Sequence, residues 1–250
     1  MNRSEINQLI HEAKAMFHEH RIALPPFGHW TPEYWKTIGP EADEIRECHL
    51  GWDLTDFGSG DFHKIGLLLF TTRNGSFSNL SGKRYAEKIM LVEPEQVTPW
   101  HYHEAKMEDI INRGGGNLCI QVQSIDAENR LDPGDVTLSL DGVKVTVPAS
   151  TIWVLKPGES ITITRRLAHQ FWGEPGSGRV LVGEVSDVND DYTDNYFMPP
   201  VGRFPEIHED APPLHFLCTD YPVGQPVARG LFDTLVGRGH LLDERPPIRL

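Results

Sequence analysis

The chain has 250 residues, with 23 Lys and Arg against 36 Asp and Glu, for a formal net charge of −13. That charge repels the phosphates of nucleic acids and anionic membrane surfaces, so neither is an expected partner. No apolar run approaches the roughly 18–20 residues needed to span a bilayer, and the polar N-terminus has no signal-peptide core. Cys48, Cys119 and Cys218 are widely spaced and form no Cys-x-x-Cys pair, which suits reduced thiols in a cytoplasmic protein.

Residues 4–20 predict an amphipathic helix, with Ile6, Leu9, Ile10, Ala13, Met16 and Phe17 at helical spacing. Leu24-Pro25-Pro26-Phe27-Gly28 stops it, because proline cannot continue the hydrogen-bond pattern. Thr31-Pro32 reads as a second helix start, with Thr31 as N-cap. Residues 1–50 are expected to be a helical lead-in packed on the barrel formed by the later strands.

From about residue 64 the period changes. Short β-rich runs occur at 65–71, 85–92, 117–123, 135–140, 144–147, 150–155, 160–164, 168–172 and 179–185. Asn74-Gly75, Asp141-Gly142, Pro157-Gly158 and Pro175-Gly176 punctuate them. Many short strands without helical spacers predict an antiparallel sandwich or barrel over residues 51–221. Residues 222–250 read as an extension with a weak helical patch at Leu231, Leu235 and Leu241.

The chemistry is concentrated in Trp100-His101-Tyr102-His103-Glu104-Ala105-Lys106-Met107-Glu108. On a strand, alternate side chains share a face, so His101 and His103 point the same way. Glu108 has the opposite parity, so a turn or bulge must carry the chain to a neighbouring strand to bring it back. Two imidazoles and a carboxylate then converge on a divalent-cation site with open positions. Lys106, two residues before Glu108, is expected on the same face, where it could bind a substrate oxygen. Glu184 lies in the otherwise apolar Val180-Leu181-Val182-Gly183-Glu184-Val185. A carboxylate so placed costs several kcal/mol unless paired, which leaves a structural partner for Arg113 or Arg179, or a general base. Lys88 sits in another apolar run, as a rim residue or a substrate contact. Asp190, Asp191, Asp194, Asn195 and Arg203 belong to a polar loop that could supply donors and acceptors to a small molecule.

Strands carrying His-x-His, a following Glu and a later His resemble the cupin superfamily. Tyr85-Ala86-Glu87-Lys88, Val97-Thr98-Pro99, Glu108-Asp109-Ile110-Ile111-Asn112-Arg113-Gly114, Pro157-Gly158-Glu159-Ser160-Ile161 and Val182-Gly183-Glu184-Val185-Ser186 together resemble one branch, the D-lyxose isomerases. The resemblance implies a mainly β fold, a cupin jelly-roll barrel (double-stranded β-helix) with an N-terminal helical segment. It implies His169 as a fourth metal ligand beside His101, His103 and Glu108. It also implies a manganese-dependent ketol-isomerase, commonly a homodimer, acting on unphosphorylated sugars such as D-lyxose and D-mannose. By residue type alone, Mn²⁺, Fe²⁺, Co²⁺ and Zn²⁺ all suit three imidazoles and a carboxylate. The expected reaction passes through a cis-enediolate, with Lys106 and Glu184 as catalytic groups and Lys88, Asp190, Asp191, Asn195 and Arg203 binding substrate. Glu108 is an alternative base and a hydride shift an alternative route. The rival readings are an Fe(II) cupin oxygenase, a non-catalytic sugar-binding cupin and an isomerase of a phosphorylated sugar, the last disfavoured because no anion pocket is visible in the sequence.

Overall fold

The structure is a computed structural model that describes residues 1–77, 79 and 81–222; the apolar patch at Leu231, Leu235 and Leu241 lies outside them. Helix α1 (Arg3–Glu19) buries Ile6, Leu9, Ile10, Ala13 and Phe17 on one face, as their three- and four-residue spacing requires. That face packs on Trp52, Leu54, Phe70, Leu91 and Leu181. Arg3 fastens the start of the helix through Glu209 at 2.6 Å and Asp220 at 2.9 Å. The predicted Thr-Pro start is helix α2 (Pro32–Trp35), where Thr31 Oγ accepts the Tyr34 N–H at 3.2 Å. Helix α3 (Asp43–Glu47) completes the lead-in.

Thirteen strands come next among the described residues: β1 (Gly51–Thr55), β2 (Leu67–Arg73), β3 (Tyr85–Val92), β4 (Val97–Tyr102), β5 (Glu108–Gly115), β6 (Leu118–Ser124), β7 (Val136–Leu140), β8 (Val143–Val147), β9 (Ile152–Leu155), β10 (Ser160–Ile163), β11 (Leu167–Gly173), β12 (Val180–Asp187) and β13 (Tyr196–Phe197). They form an eight-stranded sheet in the order β1-β2-β3-β12-β5-β10-β7-β8 and a five-stranded sheet in the order β13-β4-β11-β6-β9. Side chains from both sheets meet in one core, with Met90, Val92, Ile110 and Val182 from the larger and Ile120, Val122 and Phe171 from the smaller. This is the expected cupin barrel.

Strands β2, β3 and β12 of the larger sheet are buried on both faces. Along β2, Leu67 and Leu69 join the barrel core while Leu68 and Phe70 join the cluster under α1. That explains an unbroken apolar run where a half-exposed strand would alternate. The same parity turns Lys88, Glu108 and Glu184 towards the barrel interior, since Met90, Ile110 and Val182 two residues away lie in that core.

Asp141-Gly142 forms the expected two-residue hairpin between β7 and β8, with both residues at positive φ (49° and 83°). The Gly114-Gly115-Gly116 run turns the chain beside a bulge in the β5–β12 ladder. Gly115 adopts φ +81°, and a Cβ there would come within 2.2 Å of the Arg179 carbonyl oxygen, so only glycine fits.

Strands β1 and β13 were not predicted, and β4 and β5 were expected only as the strands carrying His101, His103 and Glu108, without bounds. In β4 the reason is Pro99, which has no N–H for the ladder. The register passes from His169↔His101 to Phe171↔Thr98, so Pro99 and Trp100 together face one residue of β11. Proline thus sits in a bulge. The expectation that Glu108 returns on a neighbouring strand is corrected: β5 belongs to the opposite sheet from β4. The turn crosses the barrel, and the ligands face one another across it.

Candidate active site and metal centre

His101 is the penultimate residue of β4, His103 begins the turn, Glu108 opens β5, and His169 lies on β11 directly opposite His101. One ligating atom from each of the four lies within 4.8 Å of the others, and all four residues are buried. Each Nδ1 is turned to a main-chain carbonyl: His101 to Pro99 at 2.8 Å, His103 to Asp194 at 2.6 Å, and His169 to Leu167 at 3.3 Å. A carbonyl only accepts, so each Nδ1 carries the proton and each Nε2 keeps its lone pair. His103 Nε2, His169 Nε2 and Glu108 Oε1 are buried without hydrogen-bond partners, although Glu108 Oε1 is 3.0 Å from His169 Nε2 and 3.4 Å from His103 Nε2. Unpartnered lone pairs converging in a buried site are costly as they stand and are what a divalent cation satisfies. The four residues fit a metal.

The electrostatics agree. Burial, with the neighbouring His169 and His103 rings, holds His101 well below the ordinary histidine range. Burial, with the Lys106 ammonium, lowers His103 as well. Both rings are therefore neutral near pH 7, the form that ligates. Burial opposes ionisation of Glu108, but Lys106 and His103 outweigh it and hold the carboxyl well below its usual range. Stripping the metal with a chelator is expected to lower the melting temperature. A cation present at about 100 times its dissociation constant adds about 2.7 kcal/mol, so differential scanning calorimetry should show a drop of roughly 5–10 °C.

Beside the ligands lies a buried chain of alternating charge. Lys106 Nζ is 2.7 Å from Glu108 Oε2 and 3.1 Å from Glu184 Oε1. Burial alone would lower the Lys106 pKa, but Glu108 and Glu184 together raise it above the ordinary lysine range. Lys106 lies in the turn, not on β5, yet its Nζ reaches the expected face. Glu184 pairs directly with Lys88 across β12 and β3, at 3.3 Å, and accepts the Ser186 hydroxyl at 3.0 Å. Its expected partners Arg113 and Arg179 are not the ones it takes; Arg179 instead pairs with Glu12 and Glu93.

The four candidate ligands, Lys88, Lys106 and Glu184 line one cavity together with Asp191, Asn195 and Arg203. Among these, Arg203 is shared by Asp53 and Asp191. Burial pushes the Asp53 carboxyl up, whereas Arg203 and the two lysines hold Asp191 well below the carboxylate range against its burial. Asn195 Nδ2 donates to Asp191 at 2.7 Å. Asp190 is not brought to the cavity: its carboxylate accepts the Tyr192 and Thr193 N–H groups and the Thr193 hydroxyl, closing its own turn.

Asn189 and Asp53 were not singled out in the sequence. Asn189 Oδ1 accepts from Lys88 at 2.8 Å and Lys106 at 3.2 Å, and no local pattern separates it from its polar neighbours. Asp53 did carry a signal, the same one as Glu184: a lone carboxylate within the buried strand Gly51-Trp52-Asp53-Leu54-Thr55.

A family model described as D-lyxose isomerase matches residues 1–221. This chain belongs to the D-lyxose isomerase family. It is 47% identical over 223 residues to the D-lyxose/D-mannose isomerase of Serratia proteamaculans, covering 88% of this chain and 98% of that one. It is 45% identical to the D-lyxose/D-mannose isomerase of Escherichia coli O157:H7 over the same shares. The L-ribose isomerase of Cellulomonas parahominis, solved with L-ribose, has the same fold, with a TM-score of 0.53 at 16% identity over 83% of this chain and 98% of that one. Membership of the family makes the chain an aldose–ketose isomerase. Among the described residues no helix is long and apolar enough to cross a membrane.

Proposed function

We propose that the chain interconverts D-lyxose with D-xylulose, and D-mannose with D-fructose, in the cavity between the two sheets. The observation that carries this reading is the juxtaposition of the buried His101–His103–Glu108–His169 cluster with the Lys106–Glu184 pair, 3.1 Å apart, on one cavity wall. Those four residues would hold a divalent cation, which supplies Lewis-acid polarisation of the substrate carbonyl. In the aldose-to-ketose direction the Glu184 carboxylate takes the proton from C2, leaving a cis-enediolate, and returns it to C1. The hydroxyl proton of O2 passes to O1, so the product is an isomer with nothing gained or lost. Lys106 donates a hydrogen bond to the oxygen on which negative charge develops. Lys88 keeps Glu184 aligned and reaches the same space.

Asp191, Asn195 and Arg203 bind hydroxyl groups of the sugar. Arg203 is already shared by two carboxylates, so a phosphate ester would meet negative charge there, which supports an unphosphorylated substrate. Asn195→Ala is expected to raise KM about tenfold while kcat stays within about twofold, as for one lost hydrogen bond to a distal hydroxyl. Steady-state kinetics on D-lyxose checks this.

Mn²⁺ is the proposed metal, supported by a donor set that accommodates it and by the family resemblance. A homodimer and a cytoplasmic location are part of the same proposal, the latter supported by the three free cysteines. The decisive experiment is ketose formation from D-lyxose and D-mannose by chelator-stripped protein with and without added Mn²⁺. Metal-dependent D-xylulose or D-fructose is expected. Neither ketose from protein with metal bound would overturn the reading.

A further inference from the structure

The turn from His103 to Glu108 crosses between sheets, and its N–H groups are taken by side chains from the end of β12 and the segment after it. Asp194 Oδ1 accepts from Glu104 at 2.8 Å and Ala105 at 3.0 Å, and Asp194 Oδ2 accepts from Lys106 at 2.9 Å. Asp187 Oδ2 takes the next N–H, of Met107, at 3.1 Å. The Asp194 carbonyl meanwhile accepts the Nδ1–H of His103 at 2.6 Å. One residue, 5% exposed, thus holds the ring of a candidate ligand with its main chain and the backbone beneath Lys106 with its carboxylate. Just beyond it, β13 pairs Tyr196 with Tyr102 and Phe197 with His101, pinning the same segment to the other candidate ligand of this stretch.

We propose that Asp194 is a positioning residue for the metal centre, through which docking of the 188–197 segment sets the affinity for the metal. The proposal rests on reading the His101–His103–Glu108–His169 cluster as a metal site. An ordered acceptor on Nδ1 fixes a ligating imidazole's tautomer and direction. Here that acceptor belongs to a loop residue whose place is itself fixed by three hydrogen bonds to the ligand-bearing turn. Cation binding and loop docking therefore favour each other by the same factor, as linkage requires.

The test is calorimetric titration of Mn²⁺ into the chelator-stripped full chain. Asp194→Ala is expected to weaken Mn²⁺ binding about 10–100-fold, the range for removing an outer partner of a metal ligand. Asp194→Asn should fall between: its amide oxygen can still accept from Glu104 and Ala105, but its NH₂ group faces the Lys106 N–H. Asp190→Ala, which opens a turn on the same loop without touching the ligands, should bind Mn²⁺ as the parent does. With Co²⁺ in place of Mn²⁺, the visible absorption bands should shift in Asp194→Ala and stay put in Asp190→Ala.

Parent affinity and spectrum in both Asp194 variants would overturn the proposal. So would an equal loss in Asp190→Ala, since any loosening of the loop would then suffice. If Asp194→Ala does not fold, Asp194→Asn decides: an intermediate loss supports the role and parent affinity overturns it. Failure of the parent chain to bind Mn²⁺ at all would instead overturn the metal reading beneath it.

Discussion

Glu184→Gln is expected to lower kcat about 10²–10⁴-fold, the contribution of a positioned acid or base, or roughly 2.7–5.4 kcal/mol at about 1.36 kcal/mol per tenfold. Metal affinity should change by no more than a few-fold, because Glu184 touches Lys88, Lys106 and Ser186 and none of the four candidate ligands. The substitution keeps the side chain's shape and removes its ability to take a proton. Lys106 retains Glu108 and Asn189 as partners, and Lys88 retains Asn189, so neither ammonium is left buried alone. Loss of kcat with Mn²⁺ still bound, measured by kinetics and calorimetry on the same preparation, separates a proton-transfer role from a structural one. Retention of most activity would take Glu184 out of the chemistry and return the role of base to Glu108.

The second large effect is on the metal. His169 is fully buried, paired in register with Val122 on one side and His101 on the other, and its Nε2 has no partner within the protein. His169→Gln is expected to weaken Mn²⁺ binding more than the roughly 100-fold upper range for outer partners, because it removes a donor atom itself. The Lys106–Glu108–Glu184 chain is left in place, so excess Mn²⁺ should restore part of the turnover. Titration of activity with Mn²⁺ checks this. An unchanged activation curve would show that His169 is an ordinary core histidine.

The candidate site was legible in the sequence wherever residue type alone limits what a position can do. His-x-His with Glu108 after it, and a carboxylate or ammonium inside an apolar run at 184 and 88, stand out because burying such groups without partners is expensive. The strand architecture was legible too, through turn residues such as Asp141-Gly142. What stayed hidden depends on the third dimension. Parity shows that Glu108 cannot share a strand with His103, but not that it crosses to the facing sheet. The bulge at Pro99 and Trp100 broke the β4 pattern, so only its His-x-His end was read as a strand. In the 187–195 run, Asp190, Asp191 and Asp194 have identical side chains, yet one closes a turn, one shares Arg203 across the cavity wall, and one holds the ligand-bearing turn. Nothing local distinguishes them.

Glu184 and Lys88 face each other across adjacent strands although 96 residues separate them, and 91 separate His103 from Asp194. Contacts of such sequence separation form late, because chain entropy is lost before they contribute. No two-ligand fragment of this chain is a preformed nest for a cation: His101 and His103 are close in sequence, but Glu108 and His169 reach them only once the two sheets have closed. A cation held by all four residues would therefore act on the finished barrel and not template it. Its hold is expressed in how slowly the native barrel opens, while the rate at which the bare chain first closes is set by strand topology.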